Sequence, residues 1–586
     1  MSTSSRNRQQ TKTPWLLNSL DASSSHFRRW DVIPNDPAKR NTLFWYSCGP
    51  TVYDSAHLGH ARTYVMQDII RRILEGYFRF DVVQAMNLTD VDDKIIQRST
   101  AALRDDEKTD PFTVKKACAE HAARYAREFQ DDMASLGVRP PDKMLRVSEC
   151  IPEIVTYIQK IMENGMAYIV EGKGVYFDTL AFENAGHRYR RFHQHASIPP
   201  PPASVSDKKN ARDFALWKES KKGEPYWSSP WGPGRPGWHI ECSAMADKAF
   251  GYRTIDIHSG GKDLCFPHHE NEIAQATAFR HTETGEKNNN WVSCFLHVGH
   301  LALSSTNGDM QQEKMSKSLG NTVTIRQSLR DHCASPRQLR LLFALTPWEK
   351  NMTYVKQDGE EKETTRSSHS SLVVAKAKER DLIRFFQNVV AASSSSLRRD
   401  TVETPSEEEK DAALRARLSE CHSIVDDAFR SNIDVPRALQ AMVFGPDSLA
   451  RGVNAYISYC VNTIDTQPCP RLLRRCGDFV ADMLELMGID VNDIYLRRGL
   501  VNETTNENGK VDTLLIDELA SFRADVRACA LSVGKQHRDA TAMITCSKQL
   551  LALCDRVRDG GRLVELGIHL EDTRNARGWS WKKDAS

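Results

Sequence analysis

The chain has 586 residues, 79 Lys and Arg against 77 Asp and Glu, and a formal net charge of +2. That length calls for three or four domains, and the near neutrality excludes capture of a polyanion by the field of the whole molecule, so any nucleic-acid partner must be held by local basic patches. Fourteen cysteines without regular spacing argue for free thiols in a cytosol-type protein rather than a disulfide framework, and no run of about 18 apolar residues is present to span a membrane.

The first twenty residues carry Arg6, Arg8 and Lys12, several Ser and Thr and no acid, a faint organellar-presequence signature. Trp15-Leu16-Leu17 gives little amphipathic helix, however, and a flexible tail over residues 1–37 is expected. Thr42 to Ser47 is rich in β-branched and aromatic residues and reads as a buried strand that Gly49-Pro50 stops. A loop follows, ending in His57-Leu58-Gly59-His60. Beyond it two interleaved apolar rows, Val65/Ile69/Ile73 and Met66/Ile70/Leu74, recur at helical spacing, and Phe80 to Leu88 is strand-like again. Strand, loop, helix and strand make a βαβ unit, whose ligand crevice opens at the carboxyl ends of its strands. His57 and His60 then sit where a helix N-terminus meets that crevice. Unpaired N–H groups favour anions there, and Gly59 lets a phosphate approach the backbone. Histidines at a helix start also serve as ordinary caps, so the motif alone leaves both readings open.

Pro111 to Gly137 has sparse apolar residues and mixed charge, which suits an exposed helix, and Glu149 to Met166 reads as another. His187 to Lys209 holds four consecutive prolines and a basic cluster at Arg188, Arg190 and Arg191, as expected of an extended or mobile insertion. In the stretch from Gly234 to Ala276, Thr254 to His258 predicts a short strand broken by Gly260-Gly261. Pro267 predicts a helix start that puts His268 and Glu272 on one face. His and carboxylate at that spacing suit a tetrahedral Zn²⁺ site. Cys48, closing the first strand, and Cys242 complete a Cys₂HisGlu set, while Cys265, three residues before His268, is either a competing thiolate or a packing residue. Trp291 to Val298 predicts the last strand. After it, Glu313 to Asn321 forms a loop carrying Lys314 and Lys317, two serines and a glycine.

The motifs CGPTVYD with HLGH, NLTDVDDKII, DFALWK, GRPGWHIECSAMA, DIHSGGKDLCFPHHENEIAQA and KMSKSLGN, in this order, resemble cysteinyl-tRNA synthetase of the eukaryotic-like kind, a class I aminoacyl-tRNA synthetase. The resemblance is dense over about residues 40 to 350 and weaker to the end. It implies an α/β fold: a Rossmann-like catalytic domain with an inserted connective region, followed by an α-helical C-terminal tRNA- and anticodon-binding domain. It also implies that Cys48, Cys242, His268 and Glu272 hold one Zn²⁺ per chain. Gly49, Thr89, Trp238 and His268 would bind L-cysteine; His57, Gly59, His60 and Lys317 would bind ATP with its Mg²⁺. His57, His60, Lys314 and Lys317 would be catalytic. The implied reaction joins L-cysteine to tRNA(Cys) through a cysteinyl-adenylate, in the cytoplasm with an organellar pool as a second destination, and a homodimer is the assembly to test. Gln97 stands where eukaryotic relatives often have lysine, and the polar Ser304 to Gln312 lengthens the approach to KMSKS.

The implied division is a tail at 1–37, a catalytic domain at 38–110 and 235–325, a connective insertion at 111–234, a stem-contact region at 326–360, a helical tRNA-binding domain at 361–501 and an anticodon-proximal element at 502–586. Arg326, Arg330, Arg337 and Arg340 predict a phosphate-binding patch beside the KMSKS loop, and Arg471, Arg474 and Arg475 a second. Lys356 to Ser371 and Ser393 to Lys410 predict linkers. Asp426 to Met442 resembles the family's helical domain, and Trp579 and Trp581 near the end are candidates to stack on unpaired bases. Two other classes share parts of this pattern. A ligase joining cysteine to a small amine would keep the same pocket without an anticodon reader, and a non-catalytic tRNA-binding relative would keep the fold while losing ligands or lysines.

Overall fold

The structure, a computed structural model, describes residues 13–23, 26–39, 41–101, 103–192, 208–281, 290–304, 313–314, 322–330, 334–355, 371–395, 407–463, 467–495, 568–572 and 579–583. Met1–Tyr495 forms one compact unit and Leu496–Ser586 a second.

The first unit begins with the antiparallel hairpin β1 (Trp15–Ser23) and β2 (His26–Asp31). Much of the expected flexible tail is therefore folded. Leu16 and Leu20 alternate inward, and the buried Asn18 both donates to Ser293 O and accepts from Phe295 N, covering an exposed sheet edge. Next come β3 (Thr42–Ser47), α1 (Leu58–Gly76), β4 (Asp81–Leu88), α2 (Asp93–Thr100), α3 (Pro111–Ser135) and β5 (Lys143–Arg146). Both apolar rows of α1 are fully buried, each large side chain contributing about 1.5–3 kcal/mol. The helix is therefore sandwiched rather than surface-lying. Strand β5 pairs with β4 in parallel, which returns residues 111–146 from the expected insertion to the catalytic layer, and one face of α3 joins the same core.

The insertion proper runs through α4 (Ile151–Glu163), β6 (Ala167–Val170), β7 (Gly174–Phe177), α5 (Thr179–Asn184), β8 (Phe214–Glu219) and β9 (Gly234–Pro236), the four strands forming one antiparallel sheet in chain order. Residues 193–207, with the four prolines, lie outside the described residues. The start of that segment is anchored instead of mobile, because Tyr189 and Phe192 are buried and Glu270 accepts from the backbone N–H groups of Arg191 and Phe192.

The chain then supplies α6 (Trp238–Phe250), β10 (Ile255–Gly261), α7 (Glu270–Phe279) and β11 (Val292–Val298). The parallel sheet has the order β11-β10-β3-β4-β5, so the winding reverses between β3 and β10. In doubly wound sheets the ligand crevice opens at that switch point. Gly260-Gly261 does not break β10; both pair with β11, and a Cβ on Gly260 would come within 2.8 Å of Leu264 and 3.1 Å of His269. Their role is close approach. Likewise Pro267 sits in an irregular turn, Cys265–His269, and α7 proper starts at Glu270.

Beyond the sheet lie β12 (Leu301–Ser304), β13 (Glu313–Lys314), α8 (Ile325–Arg330), α9 (Pro336–Ala344) and β14 (Met352–Val355), followed by a helical array of α10 (Ser371–Ser395), α11 (Glu407–Arg430), α12 (Val435–Leu439), α13 (Leu449–Asn462) and α14 (Pro470–Leu486). Asp426 to Met442 falls on the end of α11, on α12 and on the turn after it. Residues 305–312, 356–370 and 396–406, parts of the expected polar insertion and linkers, lie outside the described residues, whereas the described ends of the second linker, 393–395 and 407–410, are helical and belong to α10 and α11. In the second unit only the antiparallel pair β15 (Ile568–Asp572) and β16 (Trp579–Lys583) is described; Trp579 and Trp581 belong to the latter. Among the described residues no helix is long and apolar enough to cross a membrane, and all ten described cysteines are free.

Candidate active site

A cleft of about 290 Å³ opens at the switch point, lined among others by Cys48, Gly49, His57, Gly59, His60, Thr89, Trp238, Cys242 and His268. His57 is the N-cap of α1. Its Nδ1 accepts from Gly59 N at 3.1 Å, and His60 Nδ1 accepts from His57 N at 3.3 Å, a reciprocal capping box with the two rings stacked 3.9 Å apart. Cap and candidate anion site are thus one device. Because each Nδ1 is an acceptor, the proton of each neutral ring sits on Nε2, which makes both histidines donors toward a phosphate oxygen. Leu58 N donates to Val323 O and Ile325 N to Ala56 O, so the HLGH loop is stitched to the chain just past KMSKS. Lys314 stands in β13, while Lys317 and the rest of the KMSKS loop lie outside the described residues.

Cys48 leaves β3 with its N–H on Ser259 O and its carbonyl accepting from Tyr64 OH, and Cys242 projects from α6. Cys48 Sγ lies 3.7 Å from Cys242 Sγ, 3.6 Å from His268 Nε2 and 3.7 Å from Glu272 Oε1. Ligands of a tetrahedral Zn²⁺ at the usual bond lengths are separated by about 3.4–3.8 Å, and no residue of the four is more than 3% exposed. His268 Nε2 and Glu272 Oε1 are closer, 2.8 Å, as a hydrogen-bonded pair. The donor set fits zinc. A hydrogen bond from Cys48 lowers the Cys242 thiol to about 6, whereas burial, then Cys242 and Glu272, push the Cys48 thiol well up. Burial opposes charge on His268 and Glu272, yet Glu272 and Cys242 raise the imidazole to about 10, and His258 and His268 hold the carboxyl at about 2. Cys265 stands outside the cluster, its thiol pushed by burial to about 12, which answers in favour of packing.

Four histidines that sequence reasoning passed over surround this tetrad. His258 Nε2 meets Glu272 Oε2 at 2.6 Å, His239 Nδ1 meets His268 Nδ1 at 2.9 Å, His269 Nε2 lies 3.4 Å from Cys48 Sγ, and His269 Nδ1 meets His297 Nε2 at 2.7 Å. With His268 liganding through Nε2, its Nδ1 must carry the proton and donate to His239, the kind of outer contact that fixes a ligand's tautomer. Burial is the first cause that lowers His239, His269 and His297, so these rings are neutral. For His258 and His297 the signal available in sequence was one histidine within each of the strands β10 and β11, usable only once their register is known.

The candidate amino-acid residues also converge. Trp238, 40% exposed, sets its ring 4.5 Å from His268. Gly49 is required by contact, since a Cβ there would lie 1.7 Å from Asn87 O. The arginine patch does not form. Arg340 is buried against Asp68 at 2.6 Å, Arg337 reaches Glu379 and Asp493, and Arg326 pairs with Asp132 at 2.8 Å. Arg337 and Arg340 are spent inside the fold, and Arg326, although 41% exposed, is committed to a carboxylate of α3. Arg330 is exposed, as are Arg471 and Arg475 on α14, with Arg474 half-buried.

Residues 34–363 match the family model described as tRNA synthetases class I (C) catalytic domain. The cytoplasmic cysteine–tRNA ligase of Dictyostelium discoideum is 35% identical over 565 residues, covering 94% of this chain and 75% of that one. The cytoplasmic cysteine–tRNA ligase of Homo sapiens is 32% identical over 662 residues, 95% of this chain and 80% of that one. Among solved structures, Mycobacterium tuberculosis methionyl-tRNA synthetase in complex with methionyl-adenylate aligns with a TM-score of 0.50 at 15% identity, over 77% of this chain and 90% of that chain, a likeness of fold.

Proposed function

From the fact that the chain belongs to the cysteine–tRNA ligase family of class I tRNA synthetases, we propose that it selects L-cysteine through a Zn²⁺ held by Cys48, Cys242, His268 and Glu272 and attaches it to tRNA(Cys). The enzyme is an ATP-using aminoacyl-tRNA synthetase, and by the names of its relatives, cytoplasmic with a mitochondrial form among them, we assign it to the cytoplasm with an organellar pool as a second destination. The observation that carries the cysteine reading is the buried tetrad: Cys48 Sγ lies 3.6–3.7 Å from a second thiol, an imidazole and a carboxylate, and Cys48, Cys242 and His268 line the cleft that also holds HLGH. Bound there, zinc supplies a soft Lewis acid that favours a thiolate, whose parent pKa of about 8.5 falls on coordination, over the hydroxyl of serine.

The chain's own groups then do the rest by position and charge. The substrate carboxylate attacks the α-phosphorus of ATP, a P–O bond forms, and the bond to pyrophosphate breaks. His57 and His60 donate from Nε2 to the phosphoryl oxygens, and the N-terminus of α1 adds its unpaired N–H groups. Lys314 and Lys317 neutralise charge on the leaving pyrophosphate, with Mg²⁺ accompanying the nucleotide. Gly49, Thr89, Trp238 and His268 orient the amino acid. In the second step a terminal hydroxyl of tRNA(Cys) takes the acyl group and AMP departs, with Arg471 and Arg475 offered to the tRNA backbone.

ATP–pyrophosphate exchange across the twenty amino acids tests the reading. Cysteine is expected to support exchange and serine to fall short by on the order of 10⁴-fold, the discrimination reached when an analogue lacks the recognised contact. Serine exchange approaching that of cysteine refutes the assignment. Lys317→Ala is expected to slow exchange by about 10²-fold or more, with the KM for cysteine little changed, as for loss of a transition-state charge partner. A near-normal rate removes Lys317 from the mechanism.

A further inference from the structure

The first turn of α6 gives the cleft more than its two evident residues. Trp238 lines the cleft and Cys242 belongs to the tetrad, but Glu241 between them turns behind the wall and is 1% exposed. A buried carboxyl needs partners. The side-chain partner of Glu241 in the structure is Thr89, which borders the cleft and whose Oγ1 donates to Glu241 Oε2 at 3.2 Å.

The same hydroxyl is also engaged from its other side. Gly49 N–H, a certain donor, reaches Asn87 Oδ1 at 2.8 Å, so the amide nitrogen of Asn87 is the group that donates to Thr89 Oγ1 at 3.1 Å. A hydroxyl has one proton and two lone pairs. In Thr89 one lone pair is taken by Asn87 and the proton by Glu241, which leaves one lone pair for the cleft. Asp90 and Asp92 face Glu241 from the segment after β4 and deepen the negative potential behind the wall.

We propose that Glu241 is a positioning residue that holds the hydroxyl proton of Thr89, so that Thr89 presents an acceptor to the ammonium group of the amino-acid substrate. The inference rests on reading the cleft as the cysteine site. It assigns to the Asn87–Thr89–Glu241 chain the recognition of the α-ammonium, separate from recognition of the thiol by the tetrad.

The test uses the full-length, zinc-loaded enzyme, with the KM for cysteine and kcat from ATP–pyrophosphate exchange and the inhibition constant of 3-mercaptopropionate, which has the thiol and carboxylate but no ammonium. Glu241→Met, which fills the space without an acceptor, is expected to raise the KM about tenfold with kcat nearly unchanged, and to leave 3-mercaptopropionate binding as it was. Glu241→Gln, whose amide oxygen can take the hydroxyl proton, is expected to restore most of the affinity. If Met at this position unseats α6, Glu241→Asp, too short to reach Thr89, carries the same expectation. Thr89→Val should match Glu241→Met, and the two together should cost no more than either. An unchanged KM in Glu241→Met, a parallel loss of 3-mercaptopropionate binding, or no rescue by glutamine overturns the proposal. If Thr89→Val itself leaves the KM unchanged, the proposal falls while the cleft reading stands; if cysteine supports no exchange in the parent enzyme, the reading of the cleft as the cysteine site falls as well.

Discussion

Purified His268→Ala protein is expected to emerge without zinc and to activate cysteine about 10²–10³-fold more slowly than the parent, while its circular dichroism stays the same. A structural or catalytic site loses most of its affinity when one of four ligands goes, because the remaining three rarely enclose the ion. Loss of an outer-shell partner alone typically costs 10–100-fold, so loss of a ligand must cost at least the upper end of that range. The fold should survive, since β3, α6 and α7 enter a continuous apolar core of their own. His239→Phe provides the graded control. It keeps the ring volume but removes the acceptor 2.9 Å from His268 Nδ1, and should weaken zinc retention without abolishing it. Elemental analysis after exhaustive dialysis, read beside pyrophosphate exchange, decides the matter. Full zinc content in His268→Ala, or in a Cys242→Ala/His268→Ala double variant, removes the tetrad from the role proposed for it.

How far the sequence leads depends on whether a feature is local. The β3–α1–β4 unit could be read because its signals are short-range: a run of β-branched and aromatic residues, a glycine-proline stop, then apolar rows at helical spacing. His57 and His60 could be read as a pair for the same reason; the cap is what the structure displays, and its bonds through Nδ1 leave the Nε2 protons for the phosphate contact proposed above. The tetrad needed chemistry and a resemblance in addition, because Cys48 and Glu272 are 224 residues apart and only the reversal of strand order brings them to one wall. Register stayed hidden. His258 and His297 enter the site because Ile257 and Gly260 of β10 face Cys294 and His297 of β11, and no periodicity in either strand announces that alignment. The arginines fail for a related reason. Clustering at Arg326, Arg337 and Arg340 is visible, but the carboxylates that claim them sit on α1, α3 and α10 and beside α14, and charge spacing says nothing about partners that arrive from elsewhere in the chain.

Arg340 makes the strongest of those claims. Its guanidinium donates to Asp68 Oδ2 at 2.6 Å, to Leu136 O at 3.1 Å and to Met487 O at 2.8 Å. Leu136 and Met487 are the C-caps of α3 and α14, so one charge from α9 satisfies the ends of two helices and a carboxylate on the helix that begins with HLGH. Asp68 also accepts from Arg72 at 2.8 Å and from Arg139 N at 3.1 Å. Removing one partner of a buried pair strands the other, at about 3–5 kcal/mol. Asp68→Asn is therefore expected to destabilise by about that amount, because Arg340 is left charged and buried. Arg340→Met should cost less, because Asp68 keeps Arg72 and Arg139 and the methionine fills the stem volume. The order of the two urea midpoints is the measurement, and Arg340→Met unfolding first contradicts the argument. Acid adds a second check. Burial opposes ionisation of Asp68, but Arg340 and Arg72 outweigh it and hold the carboxyl below its usual value of about 3.9. A depressed native pKa stabilises above the unfolded value and is lost as pH falls through the native one. The stability gap between parent and Asp68→Asn should thus be flat from pH 7 to about 5 and close below about 4; a gap that persists undiminished at pH 3 means the pair is held by something other than the charge on Asp68.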